Sequence, residues 1–170
     1  GDAVKGVIAK RAFYFNTSLI TVVIGDGITS IGEEAFSNSN NIKTVIIGNG
    51  VTEIAKEAFA YCNKLESVTI GEKVQTIGGK AFYYSSLKDV VLPASLKTAA
   101  ADIFDRCDSF KSLTVNSQEA LDTILGSLKS FMKKAKVLKV KEGLTVDEAK
   151  LDEVGAAKIG TENGFVIYSR

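Results

Sequence analysis

The stretch Ile47-Gly-Asn-Gly-Val51-Thr-Glu-Ile54-Ala-Lys-Glu-Ala58-Phe59-Ala-Tyr-Cys62-Asn-Lys-Leu65-Glu-Ser-Val68-Thr-Ile70 decides the fold, because the sequence on either side of it repeats it. Ala58-Phe59 has counterparts in Ala12-Phe13, Ala35-Phe36 and Ala81-Phe82, each 23 residues from the next, and Phe104 follows Phe82 by 22. A fixed period of this length signals a solenoid of stacked units. The rest of the repeat falls into columns: Ile31, Ile54 and Ile77; Leu19, Ile42, Leu65, Leu87 and Phe110; Val22, Val45, Val68, Val90 and Leu113; Ile24, Ile47, Ile70, Leu92 and Val115.

The segment Leu-x-x-Val-x-Ile alternates apolar and polar residues at its end, the pattern of a half-buried strand. Gly32 to Ser37, with two glutamates near its start, reads as one helical turn. Gly25-Asp26-Gly27 and Gly48-Asn49-Gly50 read as tight turns with residues comfortable at positive φ. One repeat is then strand, tight turn, short extended piece, helical turn and return. A lone repeat buries too little to offset its backbone entropy, so the strands are expected to join in a continuous parallel ladder. The five phenylalanines 13, 36, 59, 82 and 104 are expected to be buried as an internal spine.

Leu-x-x-Val-x-Ile, then Gly-x-Gly-Val-Thr-x-Ile-Gly-x-x-Ala-Phe, then Phe-x-x-Cys-x-x-Leu in the copies holding Cys62 and Cys107, resembles the BspA-like leucine-rich repeat over about residues 4 to 115. The resemblance implies an α/β leucine-rich-repeat solenoid: a right-handed superhelix with a parallel strand ladder, short helical turns on the other side and a C-terminal helical cap. It also implies a secreted or cell-surface bacterial protein whose role is adhesion; no enzymatic activity and no cofactor are expected, because the residues supply no plausible nucleophile, base or metal site. The partner it points to is an extracellular or host-surface protein, bound by a monomer.

Residues 1–115 are assigned to about five repeats, the first incomplete, and 116–170 to a divergent repeat and C-terminal cap of the same solenoid. Gly1 to Val7 begins inside a repeat without a strand of its own, which suggests a fragment or mature form of something longer. The fourth copy lacks one residue between Phe82 and Leu87, and the fifth has Ala99, Ala100 and Ile103 in place of Ile, Gly and Ala. Ser117 to Ala135 spaces Leu121, Ile124, Leu125, Leu128, Phe131, Met132 and Ala135 as a helix, with Ser117 as N-cap and Lys133, Lys134 and Lys136 at its end. Val137 to Val140 resumes the strand pattern, and Val140-Lys-Glu-Gly143-Leu144-Thr145 matches Ile47 to Thr52 column for column. A short helix is expected from Val146 to about Val154, and a last strand over Gly164 to Tyr168.

The net charge of +1 supplies no basic stripe for nucleic acid, and no apolar run reaches membrane length. With no histidine there is no Ser-His-Asp triad, Cys-His pair or His-based zinc site. Cys62 and Cys107 lie two rungs apart in one column, roughly 10 Å at strand spacing, so they are expected to be free and buried. Glu33, Glu34 and Glu57 are the carboxylates nearest to a glycosidase pair. However, Lys10, Glu33 and Lys56 form one column of alternating sign, which reads as exposed ion pairs between rungs. Asp26 and Asn49 read as turn residues, since the repeats lack the oxygen ligands calcium requires.

Two surfaces are candidates for binding. On the concave strand face stand Thr21, Thr44, Ser67 and Asp89 beside Val23, Ile46, Thr69 and Val91, continued by Ser112 and Thr114: a flat, weakly apolar strip. An aromatic stripe comprises Phe15, Tyr61 and Tyr84 with Tyr14 and Tyr83. The alternative to binding is a structural spacer that presents another domain of a longer protein.

Overall fold

A computed structural model describes residues 6–126 and 137–169. The repeat builds parallel ladders from two segments of each rung. The Leu-x-x-Val-x-Ile segments form β2 (Thr21–Ile24), β4 (Thr44–Ile47) and β6 (Ser67–Thr69), with Val22, Val45 and Val68 in register. The short extended pieces form a second ladder, β1 (Gly6–Ile8), β3 (Ile28–Ile31), β5 (Glu53–Ile54), β7 (Thr76–Ile77) and β9 (Thr98–Ala99), stacked in that order. The start of the chain, expected to lack a strand, therefore contributes β1.

The third segment differs from expectation. Gly32 to Ser37 is not a helical turn but the beginning of a run of β-turns, with Glu34 at φ 55° and Asn38 at φ 62°. Ala35, Ser37 and Ser39 donate their N–H groups within the rung, to the carbonyls of Gly32, Glu34 and Phe36. Glu34, Phe36 and Asn38 donate across it, to Lys56, Ala58 and Ala60, at 2.8 to 3.1 Å. A helical turn directs its N–H groups along its own axis. Here the left-handed residues turn every second peptide towards the next rung, so this segment also bonds to its neighbour.

The turn glycines also act differently from the sequence expectation. Gly48 and Gly50 are not among the positive-φ residues. A Cβ on Gly50 would stand 1.9 Å from the Asp26 carbonyl oxygen, and one on Gly71 2.3 Å from that of Gly48. These positions are glycine because the backbone of the preceding rung occupies the side-chain space. Gly143, aligned with Gly50 in the sequence, has open space around it and φ +87°, so its reason is conformational.

Between the segments runs the core. Phe36, Phe59, Phe82 and Phe104 are buried and stack nearly parallel, with centroids 5.0 Å apart for Phe36 and Phe59, 5.6 Å for Phe59 and Phe82, and 5.9 Å for Phe82 and Phe104. Phe13 departs from the expected burial: it stacks on Phe36 at 4.9 Å but is 41% exposed, since no described rung covers its other face. The widening of the stack coincides with a break in the first ladder. The segment after β6, β8 (Asp89–Leu92), pairs not with β6 but with β10 (Ser112–Val115), in a separate sheet. The expected continuous ladder is interrupted at the strand of the copy that lacks a residue.

Beyond β10, Ser117 accepts the Ala120 N–H at 3.3 Å and caps α1 (Gln118–Gly126). Leu121, Ile124 and Leu125 are buried, and α1 packs against β9, where the fifth copy has Ala99 in the isoleucine column. Leu128, Phe131, Met132, Ala135 and the lysines 133, 134 and 136 lie outside the described residues. β11 (Val137–Lys141) continues the sheet parallel to β10, with Leu138 opposite Leu113. After α2 (Glu148–Asp152) comes a hairpin of which only the second strand is expected from the sequence. Its first strand, β12 (Ala157–Glu162), is an addition to that expectation, and its second, β13 (Phe165–Ser169), pairs antiparallel with both β11 and β12.

Gly50→Ala is expected to destabilise the fold by about 3 kcal/mol, because neither backbone strand can yield without breaking ladder bonds. Gly143→Ala is expected to cost about 1 kcal/mol, the penalty of positive φ alone. Urea denaturation of the two variants measures both, and equal costs would refute the close-approach account.

Candidate functional site

Strand alternation places the predicted strip on the outer side of the ladders. Registers Thr21–Thr44–Ser67 and Val23–Ile46–Thr69 align six of the eight residues on the sheet of β2, β4 and β6. Val23 is 68% and Ile46 40% exposed. Asp89 and Val91 lie on β8 in the neighbouring sheet, where pairing brings Ser112 and Thr114 beside them. There the Ser112 hydroxyl donates to the Asp89 carboxylate at 2.6 Å. The single strip expected from the sequence is thus two adjoining faces.

The aromatic stripe likewise resolves into two patches. Tyr14 and Phe15 pack edge to face at 5.1 Å, while Tyr61 lies 5.1 Å from Tyr83 and 6.0 Å from Tyr84. Ser37 and Asn38 hold the corresponding positions of the intervening rung. Arg11 lies over the Tyr14 ring at 5.2 Å and Lys80 over Tyr83 at 5.6 Å, which gives each patch a cationic border. Phe15, Tyr61 and Tyr84 share one column at φ 55° to 59°. Left-handed backbone is strained for bulky residues.

The carboxylates considered for catalysis are each engaged by a cation. Glu33 pairs with Lys10 at 2.9 Å and Glu34 with Arg11 at 2.5 Å, the latter bond holding the Glu34 carboxyl below its ordinary range. A general acid needs the opposite displacement. Lys56, expected to continue the alternating column to Glu33, instead pairs with Glu57 of its own rung at 3.5 Å. On the opposite edge Lys88 bonds Glu66 at 2.6 Å and lowers its carboxyl likewise. Asp26 and Asn49 offer their side-chain oxygens to the N–H groups of Asn49 and Glu72, at 2.6 and 2.8 Å. Both thus work as inter-rung clips.

Cys62 and Cys107 are free and buried. Their column serves a structural purpose, since Ser39, Cys62 and Cys107 each donate to the phenylalanine carbonyl one rung earlier, at 2.8, 3.3 and 3.1 Å. Burial pushes the Cys62 thiol up to about 12, so it stays protonated and unreactive at neutral pH. Two of the recesses among the described residues go unannounced by the repeat columns. One, about 360 Å³, opens onto Ile8, Phe13, Leu19, Val22, Ile24 and Phe36, where the core meets solvent at the first rung. The other, about 150 Å³, is lined by Asn63, Tyr84, Ser86, Arg106, Asp108 and Ser109. The 22-residue spacing of the fourth copy is the one feature of the sequence that marks its place.

Ladders of short parallel strands, turn segments and a repeated apolar column define a leucine-rich-repeat solenoid of about five turns. The sequence matches the BspA type leucine rich repeat region in six copies over residues 6–133, and the chain belongs to that family. Among solved structures it is similar to a leucine-rich repeat protein of T. pallidum, with 31% identity and a TM-score of 0.60, covering 64% of this chain and 51% of that one. A leucine-rich repeat protein of Bacteroides ovatus shares the fold at 17% identity and a TM-score of 0.52, covering 66% and 38%. A leucine rich cell surface protein of Faecalibacterium prausnitzii aligns at 24% identity and a TM-score of 0.40, covering 66% and 43%. The chain thus spans about half, or less, of each of these proteins. No curated protein matches it. Among the described residues no helix is long and apolar enough to cross a membrane.

With its pKa raised, the Cys62 thiol contributes stability in full below the unfolded value near 9 and loses it as pH rises towards 12. Stability measured by denaturation is therefore expected to fall across that alkaline window, and less so in Cys62→Ser. Iodoacetamide at pH 8 is expected to leave Cys62 unmodified in the native chain and to label it after unfolding; rapid native labelling would contradict its burial.

Proposed function

We propose that this chain is a non-catalytic binding module of a secreted or cell-surface protein, acting as a monomer that adheres to an extracellular or host-surface protein. The observation that carries this reading is the outer side of the first ladder, where Val23 and Ile46 remain exposed among hydroxyl residues on a backbone held by inter-rung hydrogen bonds. Such a face is ordered before contact, so association freezes little backbone entropy. On the first ladder the outward residues Thr21, Val23, Thr44, Ile46, Ser67 and Thr69 carry no charge, which favours an extended, weakly polar protein surface over an anionic polymer. Family membership supports the surface location and the absence of catalysis. We take the rungs to wind right-handed, as parallel strand crossovers do, residues 1–115 as the repeats, and 116–170 as a divergent repeat and cap of the same solenoid.

A binding screen against matrix and host-cell proteins tests this, with the double substitution Thr44→Glu and Ile46→Glu as the directed variant. Two charges at the centre of the strip are expected to weaken a detected interaction at least tenfold through desolvation, with the melting temperature nearly unchanged because both side chains point outward. Undiminished binding removes the strand face from consideration. Failure to bind any protein supports the spacer role instead.

A further inference from the structure

The cleft beside the shortened fourth copy lies next to Tyr84 rather than on the strand face, and its chemistry is of another kind. Tyr84 is 48% exposed at φ 55°, in a column whose other members are Phe15, Asn38, Tyr61 and Arg106, all at positive φ. Asn38 is the residue that backbone stability alone would select there. Its ring meets Tyr61 at 6.0 Å, tilted 35°, and Tyr83 at 6.2 Å, tilted 38°, without lying flat on either. This half-exposed tyrosine is one of the residues that line the cleft.

Arg106 lines the same cleft, and its side chain makes no hydrogen bond or ion pair among the described residues. Asp108, which keeps another interaction of its own, adds carboxylate oxygens to the lining, and the Ser109 hydroxyl both gives and receives. The Ser86 hydroxyl donates to the Asn63 carbonyl at 2.7 Å and retains its lone pairs. An anion would meet the Asp108 carboxylate here, whereas a ring carrying adjacent hydroxyls, each a donor and an acceptor, matches the mixed lining. The 150 Å³ of space is well below the several hundred Å³ typical of pockets for drug-sized ligands, and admits a single small ring from the side.

We propose that this cleft is a subsite for one pyranose unit of a neutral glycan. The sugar lays its C–H face on the Tyr84 ring and bonds its hydroxyls to Arg106, Asp108 and Ser109, while Tyr61 supports the neighbouring unit. The cleft includes Tyr84, Ser85 and Ser86 from the segment that lacks a residue after Phe82, next to the interruption of the strand ladder. Glycan binding here is independent of the strand-face reading, because that face is read by protein capture and this cleft by saccharide titration.

Amide chemical shifts of the 170-residue chain, followed during titration with laminarihexaose, cellohexaose, mannohexaose or chitohexaose, provide the test; sodium phosphate is titrated separately. At least one oligosaccharide at millimolar concentration is expected to move the signals of Tyr84, Ser86 and Ser109. Tyr84→Ala is expected to weaken that interaction roughly tenfold and Tyr84→Phe by about twofold at most, since the platform survives in the latter. Should Tyr84→Ala lose its amide dispersion, Arg106→Gln carries the same expectation of loss. The proposal is overturned if none of the four sugars moves these signals, if phosphate alone does, or if saccharide binding persists undiminished in a folded Tyr84→Ala.

Discussion

The hydrogen bond from the Phe36 N–H to the Ala58 carbonyl, 2.8 Å long, has equivalents from Phe13 to Ala35, Phe59 to Ala81 and Phe82 to Ile103. These bonds hold the turn segments at the same spacing as the two strand ladders, near 4.8 Å. Every other constraint follows from that distance. It lets the phenylalanine rings stack face to face, forbids a Cβ at Gly50, and places Asp26 within reach of the Asn49 N–H. It also demands positive φ at Glu34 and Asn38, since only then do alternate peptides point at the next rung.

Buried polar groups obey the same arrangement. Ser39, Cys62 and Cys107 satisfy carbonyls of the rung before them, and among the described residues no buried side-chain polar atom lacks a partner. Serine and cysteine are interchangeable in this column because each is small and carries one donor. Cysteine here is a weak hydrogen-bond donor with a hydrophobe's tolerance of burial.

Stacking order, strand columns and the capped helix were legible because they depend on apolar periodicity, which the sequence displays directly. The turn segment reads as helical in the sequence because Glu33, Glu34 and Ala35 have ordinary helix-compatible chemistry, whereas the left-handed φ of Glu34 and Asn38 is imposed by the adjacent rung. Gly48 and Gly50 were assigned to the right places for the wrong reason, since a close approach and a positive φ select the same residue. β12 escaped notice because Ala157 to Glu162 is exposed along its whole length and shows no alternation. Of the candidate surfaces, the strand face was visible as columns. The division after Thr69 and the cleft at Tyr84 depend on how one missing residue is absorbed in three dimensions.

That exposed strand has a further consequence. Parallel ladders share the strand spacing of amyloid, and a regular edge is a template on which another chain can grow. β12 is the outermost strand of its sheet, but its pairing slips between Lys158 and Gly160, and it carries Lys158 and Glu162. A kinked, charged edge running antiparallel to its neighbour offers no continuation of the repeat. Among the described residues, this edge is therefore a poor template for another strand to pair with, unlike the regular parallel edges of the repeat ladders.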